Sequence, residues 1–245
     1  MSADHPAFTP RANVIFDFDL TILPEESTHR LAHTAIRGHS QLNEFLENFQ
    51  LKNKSSREKF SDAFNFIRVV TKIKKATIRE CIDQLRPKID PVFGALFSEL
   101  KSAGIKPHII SSGYFEVISP LLNELGIPNQ DIAANRFLWL GNQAIFIAPS
   151  PLHGSKGKVA LINGWKSSGK LVGPVVMIGD GQPDRNVFSN GMADGFIQAN
   201  YYINPVNPNL SGNFSIAETP ASLSEHIHEL LSPYLPDTRM SVKAA

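Results

Sequence analysis

Cysteine is nearly missing from this chain. Cys81 is the only one in 245 residues, which excludes an internal disulfide and any cysteine-rich zinc site. It reads as a small, partly buried residue on a helix. An excess of charge of one sign is absent too. Lys plus Arg number 24 and Asp plus Glu 23, a formal net charge of +1, so bulk charge selects neither a polyanion nor a membrane surface. Any recognition of phosphate must therefore be local. No run approaches the roughly 18 apolar residues of a membrane span. The start, Met1 to Ala12, is polar, carries Pro6 and Pro10, and has neither the basic nor the apolar segment of a secretory signal, so a cytoplasmic protein is expected. There is no internal repeat and no low-complexity tract. The basic run Lys72-Ile73-Lys74-Lys75 lacks the interleaved aromatics of a nucleic-acid surface and reads as a solvated helix face.

What the chain does contain is 42% hydrophobic residues, enough for one large domain or a main domain with a smaller insert. Its most informative stretch is Asn13-Val14-Ile15-Phe16-Asp17-Phe18-Asp19-Leu20-Thr21. An apolar run of strand type ends abruptly in two carboxylates two residues apart, with a hydroxyl two further on. In an extended backbone i and i+2 point the same way, so Asp17 and Asp19 can share one pocket beyond the carboxyl end of the strand. Two carboxylates that close repel unless a cation lies between them or one keeps its proton. A metal-assisted or acid/base role follows.

After Pro24-Glu25-Glu26-Ser27-Thr28, a turn in which Ser27 or Thr28 is available as a helix cap, the chain is helical in pattern to about Pro87. Apolar residues recur at helical spacing from Leu31 to Ile36, Leu42 to Phe49, Phe60 to Val70 and Ile78 to Leu85. Four amphipathic helices without a strand suggest a small helical bundle, a cap, inserted after the first strand. An α/β pattern then resumes. A helix through Phe93 to Leu100 precedes a strand at Ile105 to Ile110, and a helix from Val117 closes at Gly126. Arg136 to Ala148 alternate as a β-hairpin of slight functional content, turning at Gly141-Asn142. A helix over Gly157 to Trp165, a buried strand Val175 to Ile178, a helix around Asn186 to Asn190 and a strand at Gly195 to Gln198 follow. Asn200 to Gly212 form a surface loop, and Ala221 to Leu231 a final helix. The fold class is α/β, with a mostly parallel sheet.

Strand-then-loop punctuation recurs, each time with a group suited to phosphate chemistry. Ser111-Ser112-Gly113 follow Ile109-Ile110 and offer hydroxyls and free amides, Gly113 letting the backbone approach an anion. Gly179-Asp180-Gly181-Gln182-Pro183-Asp184 follow four apolar residues and could meet Mg²⁺ with oxygen ligands. Between them, in Gly154-Ser155-Lys156-Gly157-Lys158, a lysine opening a helix can neutralise a phosphoryl oxygen or a carboxylate cluster. His153 is either a loop histidine or a substrate contact.

Asp17-Phe18-Asp19-Leu20-Thr21, Ser111, Lys156 and the Gly179 to Asp184 segment together resemble the four motifs of the haloacid dehalogenase superfamily, and within it the phosphoserine phosphatases. The likeness spans about Val14 to Ile197. It implies a Rossmann-like core over residues 1–21 and 88–245, a C1-type helical cap over 22–87, Mg²⁺ dependence and an aspartyl-phosphate intermediate. Carried over, it implies Asp17 as nucleophile and Asp19 as general acid and then base. Ser111, with the amides of Ser112 and Gly113, would hold phosphoryl oxygens. Lys156 would neutralise charge, with Lys158 its rival. Asp17, Asp180 and the Asp19 carbonyl would bind the metal, and Asp184 would orient the site. Glu26 matches a glutamate that contacts the substrate amino group, and Arg68 or Arg57 would pair with a substrate carboxylate. Ser112 stands where glycine is usual and Pro183 where asparagine or threonine is common, and both bear on the substrate. The presence of Asp19 argues for phosphate, since dehalogenating members lack an acid there. The expected partner is a small phosphorylated metabolite, with no nucleic acid or membrane, for a monomer or homodimer. A phosphotransferase or phosphomutase of the same fold, and a silent phosphate-binding module, are the alternatives.

Overall fold

The computed structural model describes residues 10–47 and 65–235. Its strands are β1 (Ala12–Phe16), β2 (Ile105–Tyr114), β3 (Ile132–Asn135), β4 (Phe137–Leu140), β5 (Gln143–Ile147), β6 (Val175–Gly179), β7 (Gly195–Ala199) and β8 (Phe214–Ala217). The helices are α1 (Ser27–Ala35), α2 (Ser40–Glu47), α3 (Lys75–Leu85), α4 (Val92–Ser102), α5 (Phe115–Glu124), α6 (Gly157–Ser167), α7 (Gln182–Ser189) and α8 (Leu223–Leu231). Residues 65–70 are also helical. Arg57, Phe49 and the start of the third expected helix, residues 60–64, lie outside the described residues.

β1 is buried from end to end because it is the centre of a six-stranded parallel sheet of order β3-β2-β1-β6-β7-β8. A strand covered on both faces needs apolar side chains at every position, and their alternation splits them between two cores. Val14, Phe16, Val176 and Ile178 join α4, α5 and α8 on one face. Ile15, Val175 and Met177 join Ile162 of α6 and Val187 of α7 on the other. Each such side chain contributes about 1.5–3 kcal/mol when fully buried, and the Phe16 ring meets Phe97 edge-on at 5.2 Å. The chain leaves β1 in both directions across the sheet, so the carboxyl ends of β1, β2 and β6 converge at the point where ligands bind in open α/β sheets.

Two expected boundaries shift, each for a local reason. β2 does not stop at Ile110: it runs to Tyr114, with its register against β3 slipping between Ile110 and Tyr114, so Ser111 to Gly113 form an irregularity inside a strand. α7 starts at Gln182, well before Asn186, because Pro183 loses nothing in a first turn and Asp184 Oδ2 accepts the Gly181 N–H at 3.1 Å. β3, at Ile132–Asn135, and β8, at Phe214–Ala217, emerge where periodicity marked no strand. The other expected strands and the β4–β5 hairpin stand where periodicity placed them.

Between β1 and α4, α1 packs on α3, which in turn meets α5. Glu25 holds this segment to the core. It takes a bidentate pair from Arg30 (3.0 and 2.7 Å) and a bond from Lys88 (2.8 Å). Cys81, wholly buried on α3, has its thiol pushed up to about 12 by burial.

Candidate active site

The turn after β1 is tight. Ile22 and Leu23 N–H both donate to the Phe18 carbonyl (2.8 and 3.0 Å), and Leu20 takes φ 56°, a left-handed conformation costly for leucine. This turn aims the two carboxylates apart. Asp17 Oδ1 accepts the Phe18 N–H at 2.7 Å, and its Oδ2 meets Lys158 Nζ at 2.7 Å. Asp19 turns toward α1, accepting from Ser27 N–H and Ser27 Oγ, both at 3.0 Å. Ser27 therefore does not cap α1. Glu26 occupies the cap position without a side-chain bond, and the Asp19 carboxylate satisfies the free amide instead.

The lysine of the site is Lys158, not Lys156. Lys156 is exposed at the start of α6, whereas Lys158, its second residue, is buried and bridges Asp17 to Asp184 Oδ1 at 2.6 Å. A helix start places residues two apart on different faces, and the packing of α6 decides which one faces inward. Asp17, Asp180 and Asp184 offer oxygens all within 4.8 Å of one another.

Electrostatics follow first from burial and then from neighbouring charge. Burial holds Asp17 well above the usual carboxylate range against the pull of Lys158, with Asp184 and Asp19 adding to the rise. Burial pushes Asp180 to about 6, helped by Asp184. Burial alone would lower the Lys158 ammonium, but Asp17 and Asp184 more than offset it and hold it raised. Asp19 is pushed up to about 7 by burial and then by the Glu26 charge, against its bonds from Ser27.

The β2 irregularity comes to the same place. Ser111 is buried and its Oγ accepts the Gly113 N–H at 3.0 Å. A side chain at Gly113 would lie 3.0 Å from Ser27 Oγ and 3.3 Å from Asp19 Oδ2, so only glycine leaves room there. Ser112 is exposed, its carbonyl held by Asn135 Nδ2 at 2.6 Å. Glu26 is exposed beside Asp19 and Asp180, whose carboxyls feel its charge. Arg68 does not join the cluster. It is exposed and bonds Asn65 of its own helical turn at 3.3 Å.

Two residues passed unnoticed in the sequence. Arg185 Nη1 donates to the Asp180 carbonyl (2.9 Å) and to Gln198 Oε1 (2.7 Å), while Gln198 Nε2 donates to the same carbonyl at 2.9 Å. Together they fix the backbone of Asp180. Gln198 did carry a signal, as a lone polar residue inside the apolar strand β7.

A parallel α/β sheet whose central strand ends in paired carboxylates, with a lysine and a third strand's acidic turn closing on them, is the frame of an aspartate-dependent hydrolase. Residues 14–189 match the haloacid dehalogenase-like hydrolase family, and the chain belongs to it. It is 28% identical over 187 residues to the chloroplastic phosphoserine phosphatase of Arabidopsis thaliana, a match covering 75% of this chain and 61% of that one. To the phosphoserine phosphatase of Drosophila melanogaster it is 29% identical over 176 residues, 70% of this chain and 62% of that one. The match thus spans less than two thirds of either relative's length. A solved phosphoserine phosphohydrolase-like protein from Francisella tularensis superposes with a TM-score of 0.66 at 23% identity, over 88% of this chain and 99% of that one, a likeness of fold. Among the described residues no helix is long and apolar enough to cross a membrane.

Proposed function

We propose that this chain is a Mg²⁺-dependent phosphomonoesterase that hydrolyses a small phosphorylated molecule through an aspartyl-phosphate, in the manner of the phosphoserine phosphatases it resembles. The observation that carries the reading is the Asp17 carboxylate, set beside the buried Lys158 ammonium at 2.7 Å and among two further carboxylates. A carboxylate is a weak nucleophile toward a phosphate dianion because like charges repel, and fixed positive charge is what the reaction most needs.

The residues fit a hard divalent cation. The donors are all oxygen, and Asp17 and Asp180 are raised by burial and then by neighbouring carboxylates, whose repulsion a cation relieves. Asp17, Asp180 and the Asp19 carbonyl would hold it, supplying charge neutralisation at the phosphoryl oxygens. Asp184, its two oxygens engaged by Lys158 and the Gly181 amide, serves to orient the lysine.

An Asp17 oxygen forms a bond to phosphorus as the ester P–O bond breaks, and Asp19 delivers a proton to the departing alkoxide. Water then attacks phosphorus with Asp19 taking its proton, so that inorganic phosphate leaves and Asp17 is regenerated. Ser111 and the Ser112 and Gly113 amides bind phosphoryl oxygens. Residues 22–87 act as a C1-type cap on a core of 1–21 and 88–245, held by the Asp19–Ser27 and Glu25–Lys88 bonds. Asp17→Asn is expected to abolish Mg²⁺-dependent phosphate release while leaving the circular dichroism spectrum unchanged. Undiminished turnover by that variant would refute the nucleophile assignment, and phosphorylated acceptor in place of free phosphate would make the protein a phosphotransferase.

A further inference from the structure

β2 enters the site by breaking its ladder with β3. The two strands pair at Ile110 with Ala133 and again at Tyr114 with Asn135, so Ser111 to Gly113 of β2 stand opposite Ala134 alone. The extra residues leave main-chain groups of β2 outside the ladder, and each needs another partner. For the Ser112 carbonyl that partner is a side chain. Asn135, the last residue of β3 and only 3% exposed, donates to it from Nδ2 at 2.6 Å. Only the nitrogen end of an amide can face a carbonyl, so this side chain has one orientation that serves.

The Ser112 carbonyl and the Gly113 N–H belong to one trans peptide, a planar unit that directs the two groups to opposite sides. Asn135 holds one side of the plane. On the other, the Gly113 N–H donates to Ser111 Oγ at 3.0 Å. A hydroxyl has one proton to give, and an Oγ that accepts from Gly113 keeps that proton for a further acceptor. Ser111 is thereby set as a donor.

This peptide lies against the reacting groups. Phe16 of β1 pairs with Ile109 of β2, so Ser111 stands two residues past that pair, where Asp17 to Asp19 leave β1. A Cβ on Gly113 would come within 3.3 Å of Asp19 Oδ2. We infer that Asn135 is a positioning residue, which fixes the plane of the 112–113 peptide and through Gly113 turns the Ser111 hydroxyl proton toward a phosphoryl oxygen. The inference rests on the phosphatase reading above. A residue that did no more than secure the end of β3 would respond differently to the loss of Ser111.

Asn135→Leu nearly keeps the size of the side chain and removes the donor. In Mg²⁺-dependent hydrolysis of p-nitrophenyl phosphate or O-phospho-L-serine it is expected to lower kcat/KM by about 10–100-fold, the worth of one hydrogen bond to a charged group. Competitive inhibition by inorganic phosphate should weaken by about tenfold or more for the same reason. In protein that already carries Ser111→Ala, the same substitution should cost less than about threefold, because the hydroxyl it directs is gone. Equal losses with and without Ser111, or no loss of either rate or phosphate inhibition, overturn the inference while the phosphatase stands. If Asn135→Leu does not fold, Asn135→Ser, polar but too short to reach the Ser112 carbonyl, takes its place in the same comparison. Release of phosphate from neither ester by the natural protein overturns the phosphatase reading and the inference with it.

Discussion

The ammonium of Lys158 is the group on which the reactivity of Asp17 turns. It is buried between two carboxylates, so its removal leaves Asp17 and Asp184 facing each other, with Asp180 close by, and takes away the charge that separates them. Breaking a buried ion pair from one side costs about 3–5 kcal/mol, less where a carboxyl takes up a proton instead. Lys158→Ala is therefore expected to lower the urea midpoint and to cut kcat for phosphate release by about 10²–10³-fold. Lys156→Ala, at an exposed position, should change either by no more than about twofold in rate or 0.5 kcal/mol. A kinetic comparison of the two variants decides between them, and the reverse result would return the role to Lys156. The carboxylates Asp17, Asp19 and Asp180 were legible in the sequence because a charge set directly after a buried apolar run is costly to a core and useful to a site. The choice between two lysines was not, since it depends on how far α6 is rotated about its axis, which packing alone determines.

At the scale of elements, β6 and α7 meet so closely that a glycine is required between them. A Cβ on Gly179 would overlap the carboxyl group of Asp184, which cannot move aside without losing Lys158 and the Gly181 amide. Gly179→Ala should destabilise the fold by about 1–3 kcal/mol, the usual cost of overpacking. It should also displace Asp184 and with it the lysine, lowering kcat more than it raises KM. A variant with wild-type kcat and midpoint would mean that α7 shifts freely. The four central strands β2, β1, β6 and β7 were readable, because buried parallel strands must be apolar throughout, whereas the edge strand β3, half-buried at Ala133 and Ala134 and closed by Asn135, was not. β8, with only its last residue fully buried, lacked that signature, and the continuation of β2 through Ser111 to Gly113 was hidden by residues that usually mark a turn. The β4–β5 hairpin was visible as an alternation, but the main-chain bonds that tie it to residues 73–75 are encoded by no pattern.

Across the whole molecule, the carboxyl end of the sheet carries the chemistry, while a second polar group lies nearer the amino ends of the strands and bears on stability alone. His108 of β2 is fully buried, its Nε2 3.1 Å from Asn13 Oδ1 and its Nδ1 3.4 Å from Asp131 Oδ1, and its ring lies 5.5 Å from that of Trp165. Lys106 reaches Asp131 at 2.8 Å, and Lys170 lies 3.6 Å over the Trp165 ring. Burial lowers the His108 imidazole despite the pull of Asp131. Burial would raise Asp131, but His108 and Lys106 outweigh it and hold that carboxyl low. Both groups are depressed on folding, so each adds stability that is whole above its unfolded value and is lost as pH falls toward the folded one. For His108 the loss begins as pH drops through about 6.5, and for Asp131 only below about 3.8. Asp19 and Asp180 are raised on folding, to about 7 and about 6, and work in the opposite sense over the same range. The His108 contribution is therefore read as a difference from His108→Phe, which keeps a ring against Trp165 and leaves those carboxylates in place. Between pH 7 and 5 the urea midpoint of the natural protein should lose ground to that of the variant, by at most about 1.4 kcal/mol per pH unit. Midpoints that move in parallel over that interval would remove His108 from the account and leave the carboxylates of the site as the groups that titrate there.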